Sequence, residues 1–360
     1  MKRNNILHYS LLGLLCWCGA LLPHRASAAG AVWAGTYNLA RWNIPAGDYS
    51  GITPVGQGLY AVVNDKRNGF SLWEIRQDSL TGRVMQVKEV RQVALQDRKT
   101  ESRLDLEAVS WWPERNCLLL MSEQKQTVLA YDLTGAPVDF RWPMPVEAAP
   151  EKIHANYGFE SLTRDEARSC FWTCTENVLR AEGQPVGPLR REAASVPVFC
   201  LNDDGTARLA ARYPTDVPRA RTSGRAYCYG VSELLVLPGY GLLVLEREFF
   251  ASRNYLRSWV NHTVYRVDPE ALWTAGGKAV AKTPVAIFRT RLNPLSYRLA
   301  NFEGMAAGIR LADGRQTVLL LCDAQSGAGN RLFHLKDYLR VLVLPAKTQT
   351  KKLTLNPRLL

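Results

Sequence analysis

With 360 residues and a formal net charge of +12, the chain can form one large all-β domain or two average ones, with ample length for a core. Its basic residues are scattered rather than blocked. No zinc-finger spacing, RNP-like run or basic helix accompanies them, so nothing supports a nucleic-acid module.

Residues 1–28 read as a cleavable signal peptide: Lys2 and Arg3, an apolar run over 11–22, then Ala26-Ser27-Ala28. That run of about a dozen residues is short of the ~20 needed to span a bilayer, and the rest of the chain holds no longer one. The expectation is an exported protein, periplasmic or secreted, with no integral membrane segment after cleavage and a charge of +9. Residues 29–346 are expected to form a single domain, and 347–360 a basic tail.

From residue 32 onward strand signals dominate. Leu59-Tyr60-Ala61-Val62-Val63, Cys117-Leu118-Leu119-Leu120-Met121, Leu242-Leu243-Val244-Leu245 and Val318-Leu319-Leu320-Leu321 are short apolar runs bounded by turn residues. Continuous runs suit strands buried on both faces. After each comes a more alternating pair, beginning with Phe70–Ile75, Thr127–Tyr131, Val196–Cys200, Thr263–Val267 and Arg331–Leu335. Polar insertions at 182–192, 215–225 and 251–258 read as loops, and 270–281 as a short helix.

One phrase recurs: an acid opens an apolar strand, the chain turns, and a second apolar strand ends in an acid. It runs from Glu107 to Glu123, Glu160 to Glu176, Glu233 to Glu246 and Glu303 to Asp323. A first copy, Ser50-Gly51-Ile52 to Asp65, opens without an acid. The unit starts Gly51, Glu107, Glu160, Glu233 and Glu303 are 56, 53, 73 and 70 residues apart, a period expected of four-stranded propeller blades. The fold expected is therefore an all-β propeller of five four-stranded blades, with room for a sixth. Residues 32–42 would supply an outer strand closing the ring against the last unit.

In each hairpin the opening and closing acids lie at the same end, about 4.8 Å apart across the strand spacing. With Asp65 they make a ring of nine carboxylates at one mouth of the channel. Such crowding demands cations, metal ions or shared protons. Hard oxygen ligands favour calcium, or magnesium, over zinc. Basic neighbours such as Lys66 and Arg247 could neutralise the ring or meet a phosphate. Alternatively the acids serve packing alone, by capping blade ends.

Other chemistries find little. There is no G-x-S-x-G elbow, no H-E-x-x-H and no P-loop. His154, His262 and His334 are isolated, with His154 kept as a proton-transfer candidate because it precedes Asn156-Tyr157-Gly158-Phe159-Glu160. Six cysteines remain after residue 28; Cys170 and Cys174, about 13 Å apart on one strand, cannot pair with each other.

At these residues the chain resembles the phytase-like, or esterase-like activity of phytase, family of exported bacterial proteins. The resemblance lies in Ser50-Gly51-Ile52 with Asn64-Asp65, Asp105-Leu106-Glu107-Ala108, Asn156 to Leu162, Leu234 to Pro238 with Leu243 to Arg247, and Asn301 to Met305. It implies a propeller-like domain and a phosphoesterase activity attributed to Glu and Asp. The chain departs at Ala108 and Ser161, where the family has glycine, and at Cys322-Asp323-Ala324, where the family reads Ser-Asp-Asp or Ser-Asp-Asn.

The expectation is thus an exported hydrolase of a small phosphorylated or anionic substrate, using a divalent metal. Glu107, Glu160 and Glu303 are its candidate catalytic residues, and Asp65, Glu123, Glu176, Glu246 and Asp323 its candidate metal ligands. Arg247 and Lys66 would bind substrate. The alternatives are a noncatalytic, calcium-stabilised binding propeller and a metal-dependent lactone or carboxyl-ester hydrolase.

Overall fold

The computed structural model describes residues 30–97, 103–188, 190, 192–292, 299–324 and 335–346. The signal-peptide expectation for 1–28 and the basic tail at 347–360 lie outside them. The first strand, β1 (Val32–Asn38), is spatially the last, and the rest follow as hairpins.

The first blade is β2 (Tyr49–Gly56), β3 (Leu59–Asn64), β4 (Gly69–Gln77) and β5 (Val84–Ala94); the second is β6 (Leu106–Trp112), β7 (Cys117–Ser122) and β8 (Thr127–Tyr131). The third is β9 (Thr163–Asp165), β10 (Cys170–Cys174), β11 (Ser195–Asn202) and β12 (Ala207–Pro214). The fourth joins β13 (Ala226–Leu237), β14 (Gly241–Ala251), β15 (Trp259–Val267) and β16 (Thr283–Arg291), with helix α1 (Pro269–Thr274) between the last two. The fifth is β17 (Asn301–Arg310), β18 (Gln316–Asp323), β19 (Tyr338–Leu344) and β1, which pairs antiparallel with β19. The innermost strands β2, β6, β9, β13 and β17 neighbour one another in that order and close on β2. This is a five-bladed β-propeller.

Three local expectations change. The second blade has three strands, continued only by a Tyr131–Pro137 bridge. Prolines at 137, 143, 145 and 150 cannot donate ladder hydrogen bonds, so no fourth strand forms after Tyr131. The third blade's inner strand starts at Thr163, later than Glu160 suggested, with Phe159 held to Thr175 by an isolated bridge. In the fifth blade β19 at Tyr338–Leu344 is the strand beside β18; residues 331–334, expected there, lie outside the described residues.

The apolar runs owe their continuity to the blade geometry. Along β7, Cys117, Leu119 and Met121 face the third blade, packing with Phe171 and Phe199, while Leu118 and Leu120 face the first, packing with Val63 and Phe70. β14 divides likewise: Leu242 and Val244 join Trp172, and Leu243 and Leu245 join Phe302 and Leu320. Between the fifth and first blades Leu319 and Leu321 meet Trp73. Five apolar clusters thus fill the five blade interfaces, and the period of two sends alternate residues of a strand to different ones. The six cysteines among the described residues are free thiols.

Because β1 both completes the fifth blade and closes the ring, deleting residues 30–38 exposes the edge of β19. The truncated protein is expected to melt at least about 10 °C lower, or to unfold without a single cooperative transition, in thermal denaturation followed by circular dichroism.

Candidate functional site

Inner hairpins share a local device. In each ladder one residue of the innermost strand is bulged out: Ser50 between Tyr49 and Gly51, Glu107 between Leu106 and Ala108, Ser232 between Val231 and Glu233, and Glu303 between Phe302 and Gly304. Glu160 holds the equivalent place after the Phe159–Thr175 bridge. A bulge adds one unpaired residue and re-aims its side chain. Two residues before each bulge, the backbone meets the residue that closes the hairpin. These pairs are Asp48 with Asp65, Asp105 with Glu123, Gly158 with Glu176, Gly230 with Arg247 and Asn301 with Asp323.

The mouth is therefore three tiers of five. Its tiers read Asp48, Asp105, Gly158, Gly230, Asn301; then Ser50, Glu107, Glu160, Ser232, Glu303; then Asp65, Glu123, Glu176, Arg247, Asp323. The nine acids among them all line one cavity of about 290 Å3, together with Arg103, Arg247, Asn156, Cys228 and Phe249. The two glycines have a steric reason: a Cβ on Gly230 would lie 2.1 Å from the Glu176 carbonyl oxygen, and one on Gly158 2.7 Å from Glu123 Cγ. At the position after the bulge, Gly51, Ala108, Ser161 and Gly304 are small because the next inner strand passes there; a Cβ on Gly304 would approach the Ser50 carbonyl to 2.9 Å. In these four blades the place takes a small residue, not glycine alone.

The fourth blade is out of step by one residue. Glu233 occupies the small-residue position, and Glu246 stands opposite Val231, one residue before the closing place, which Arg247 takes. Neither Glu233 nor Glu246 lines the mouth. Glu246, expected to be a metal ligand, accepts hydrogen bonds from Tyr213 Oη (2.7 Å), Tyr229 Oη (2.8 Å) and the Asp216 amide (3.1 Å), and pairs with Lys282. Glu233 accepts from the Leu234 amide at 3.0 Å and from the amides of Met305 and Leu162, joining three blades. The Val231-Ser232 pair, matching Tyr49-Ser50, was the signal of the offset. Asp48 and Asp105, which sequence reasoning missed, replace the two displaced acids.

Arg247 is 6% exposed, between Glu176 of the third blade and Glu303 of the fifth, with Asn301 Oδ1 at 3.4 Å and Cys228 Sγ at 3.5 Å. Burial works to lower its pKa, but Glu303 and Glu176 outweigh it and hold the guanidinium charged. Lys66 does not line the cavity; it stands at the rim, 43% exposed, 3.1 Å from Asp48 and paired with Asp65. Opposite Arg247, Asp65, Asp105 and Glu107 bring one oxygen each within 4.8 Å of the others. Asp65 Oδ1 is buried there without a hydrogen-bond partner among the described residues, and Asp105 holds a left-handed backbone (φ 54°).

Burial, then Glu303, Glu123, Asp105 and Asp65, push the Glu107 carboxyl well above its usual range. Burial and Glu176 do the same to Glu160, and Glu123, Glu303 and Asp65 are raised chiefly by burial. The mouth cannot keep all its charges without a cation or protons.

The histidines stand aside. His262 accepts the Phe302 amide at 3.0 Å, stacks on Phe288, and is held neutral by burial and by Arg247. His154 bonds the Gly183 carbonyl at 2.8 Å in an adjoining cleft, outside the mouth itself. His334 lies outside the described residues.

The family model described as "Phytase-like: Esterase-like activity of phytase" matches residues 44–324, which spans the whole mouth. The chain belongs to the phytase-like family. No curated protein matches it in sequence. Among solved structures it is similar to a streptogramin B lyase (11% identity, 88% of this chain and 98% of that chain, TM-score 0.37). It is also similar to the PQQ-bound aldose sugar dehydrogenase of Streptomyces coelicolor (10% identity, 88% and 100%, TM-score 0.36). A third is the α-L-arabinofuranosidase PaAbf62A of Podospora anserina (9% identity, 86% and 94%, TM-score 0.35). At these identities and scores none of the three bears on what this phytase-like chain binds or does.

Two outcomes follow from the offset and the charge. Glu233→Ala leaves three buried amides without their acceptor and should cost roughly 1–3 kcal/mol in urea unfolding. Since Asp65, Glu107, Glu123, Glu160 and Glu303 have raised pKa values when folded, these groups bind more protons in the folded state than in the unfolded one. Metal-free stability should fall as pH rises from about 4.3, the ordinary glutamate value. The fall should continue through at least neutrality, because burial and Asp48 push nearby Asp337 up to about 7. Melting temperatures across pH 4–8 in chelator check this; a flat or rising profile contradicts it.

Proposed function

We infer that this phytase-like propeller hydrolyses a phosphate ester at its acidic mouth with the help of a divalent cation, calcium before magnesium. The reading is carried by Asp65, Asp105 and Glu107, whose oxygens converge within 4.8 Å beside the buried, unpartnered Asp65 Oδ1. An all-oxygen donor set of this charge fits a hard cation. Asp65, Asp105 and Glu107 would hold it, with Glu123 beside Asp105. Bound there, a divalent ion supplies a Lewis acid for a phosphoryl oxygen and acidifies water.

The chain's own groups take the remaining parts. Glu160, whose carboxyl burial and then Glu176 push well above the usual range, is suited to give a proton to the departing alkoxide as the ester P–O bond breaks. Water adds to phosphorus, and its proton passes to the ionised carboxylates of the mouth. Arg247 is paired on both sides, so it positions Glu176 and Glu303 rather than gripping substrate. Lys66, exposed at the rim, is a cation able to meet an incoming phosphate.

One observation favours a second reading. Arg247 ties the third, fourth and fifth blades through Glu176 and Glu303, as it would in a noncatalytic propeller whose acids and cations organise the ring. Turnover separates the two. The phosphoesterase reading expects hydrolysis of p-nitrophenyl phosphate that falls about a hundredfold on chelation and with Glu107→Gln, with calcium restoring only the wild type. A calcium-dependent rise in melting temperature with no turnover across a phosphoester panel selects the second reading. Hydrolysis unchanged by both treatments contradicts the proposed mechanism.

A further inference from the structure

Beside the mouth the inner hairpin of the fourth blade continues past its closing residue. Beyond the Gly230–Arg247 pair, β13 and β14 stay paired through Cys228 with Phe249 and Tyr227 with Phe250 to Ala226 with Ala251. The wall therefore rises about 13 Å above Arg247 at ~3.3 Å per residue. Phe250 stacks on Trp259, and the Arg289 guanidinium lies 4.6 Å over the Trp259 ring, so the wall is a packed extension of the blade.

Its crest has an unusual composition. Residues 217–231, 249–267 and 283–292 contain no Asp or Glu. The wall's single acid, Glu248, is buried and engaged by the amides of Arg219 and Ala220 (both 2.8 Å) and by Tyr227 Oη (3.1 Å). Arg221, Arg225, Arg253, Arg257 and Arg291 are all exposed. Among them rise three exposed large apolar side chains: Tyr255 at 53%, Leu256 at 49% and, on the neighbouring loop, Val217 at 47%. The tip is built rather than trailing. Asn254 Oδ1 caps the short turn Tyr255–Arg257 through the Leu256 amide, and Arg225 lies 4.7 Å over the Tyr255 ring with its Nη1 bonding Tyr255 Oη at 3.2 Å.

We propose that this crest is a docking surface for an anionic lipid bilayer, with Tyr255 and Leu256 entering the headgroup region and the arginines lying on lipid phosphates. The argument is charge complementarity together with an apolar tip. A soluble anion would call for the arginines alone, whereas an aromatic and a leucine ringed by arginine suit an interface that is wet and anionic outside and apolar beneath. Docked this way, the acidic mouth opens alongside the membrane surface. The docking is independent of the chemistry proposed for the mouth, since it uses none of the mouth's carboxylates.

Co-sedimentation of the purified protein with vesicles tests it. The protein should pellet with equimolar phosphatidylglycerol and phosphatidylcholine, but not with phosphatidylcholine alone. Arg253→Ala with Arg257→Ala, and separately Tyr255→Ser with Leu256→Ser, should each lower partitioning about tenfold or more. Both pairs are exposed, and unchanged melting curves will show that the variants fold. Equal binding to both vesicle types, or binding untouched by either pair, overturns the docking surface. Displacement by inorganic phosphate at constant ionic strength would also overturn it, assigning the arginines to a soluble anion.

Discussion

Nine carboxylates share one small channel with a single buried guanidinium, and this crowding of like charge constrains the mouth throughout. Arg247 accounts for two of the nine, Glu176 and Glu303, Lys66 at the rim for Asp48 and Asp65, and Arg103 for Asp105 at 3.1 Å. At Glu107 and Glu160 burial raises the carboxyl most, and neighbouring carboxylates add to it. A fold that needed only capped blade ends would gain nothing from this arrangement, because hydroxyl or amide groups accept backbone hydrogen bonds without the repulsion. Ser50 ties the first blade to the second without charge, its hydroxyl donating to the Leu106 carbonyl at 2.5 Å.

The same ladder that buries the apolar runs also aims the acids. Alternate residues of a middle strand go to different blade interfaces, so the strand can end on an acid only where it leaves the core. The bulge then inserts one residue on the inner strand and turns its side chain into the channel. Small residues directly after the bulge let the inner strands of adjacent blades approach. The fourth blade breaks the pattern by one residue and thereby places a cation in the closing tier. Its displaced acids are used as interblade ties, Glu246 toward the third blade's Tyr213 and Glu233 toward Met305 and Leu162.

Much of this was legible in the sequence, because the repeat is carried by short apolar runs whose length and flanking turn residues mark doubly buried strands. The five units, the closing strand at 32–38 and seven of the nine mouth acids follow from that repeat. The rest depended on register. Aligning units on their acids equated Glu233 with Glu107, whereas aligning them on the apolar residue before the bulge pairs Val231-Ser232 with Tyr49-Ser50 and puts Arg247 in the mouth. A one-residue slip flips a side chain to the other face, and no composition or spacing rule reports it. Asp48 and Asp105 were hidden for the opposite reason: they precede the strands, and only backbone pairing with the closing residues brings them in. The missing fourth strand of the second blade was written in its prolines.

The central claim is that the mouth balances its charge by exchanging protons for a cation. Calorimetric titration of calcium into the metal-free protein near pH 6, in buffers of different ionisation enthalpy, reads this directly. The account predicts saturable binding accompanied by release of protons from the mouth, with both signals lost in Glu107→Gln. Calcium binding without proton release, or no calcium binding at all, would contradict it.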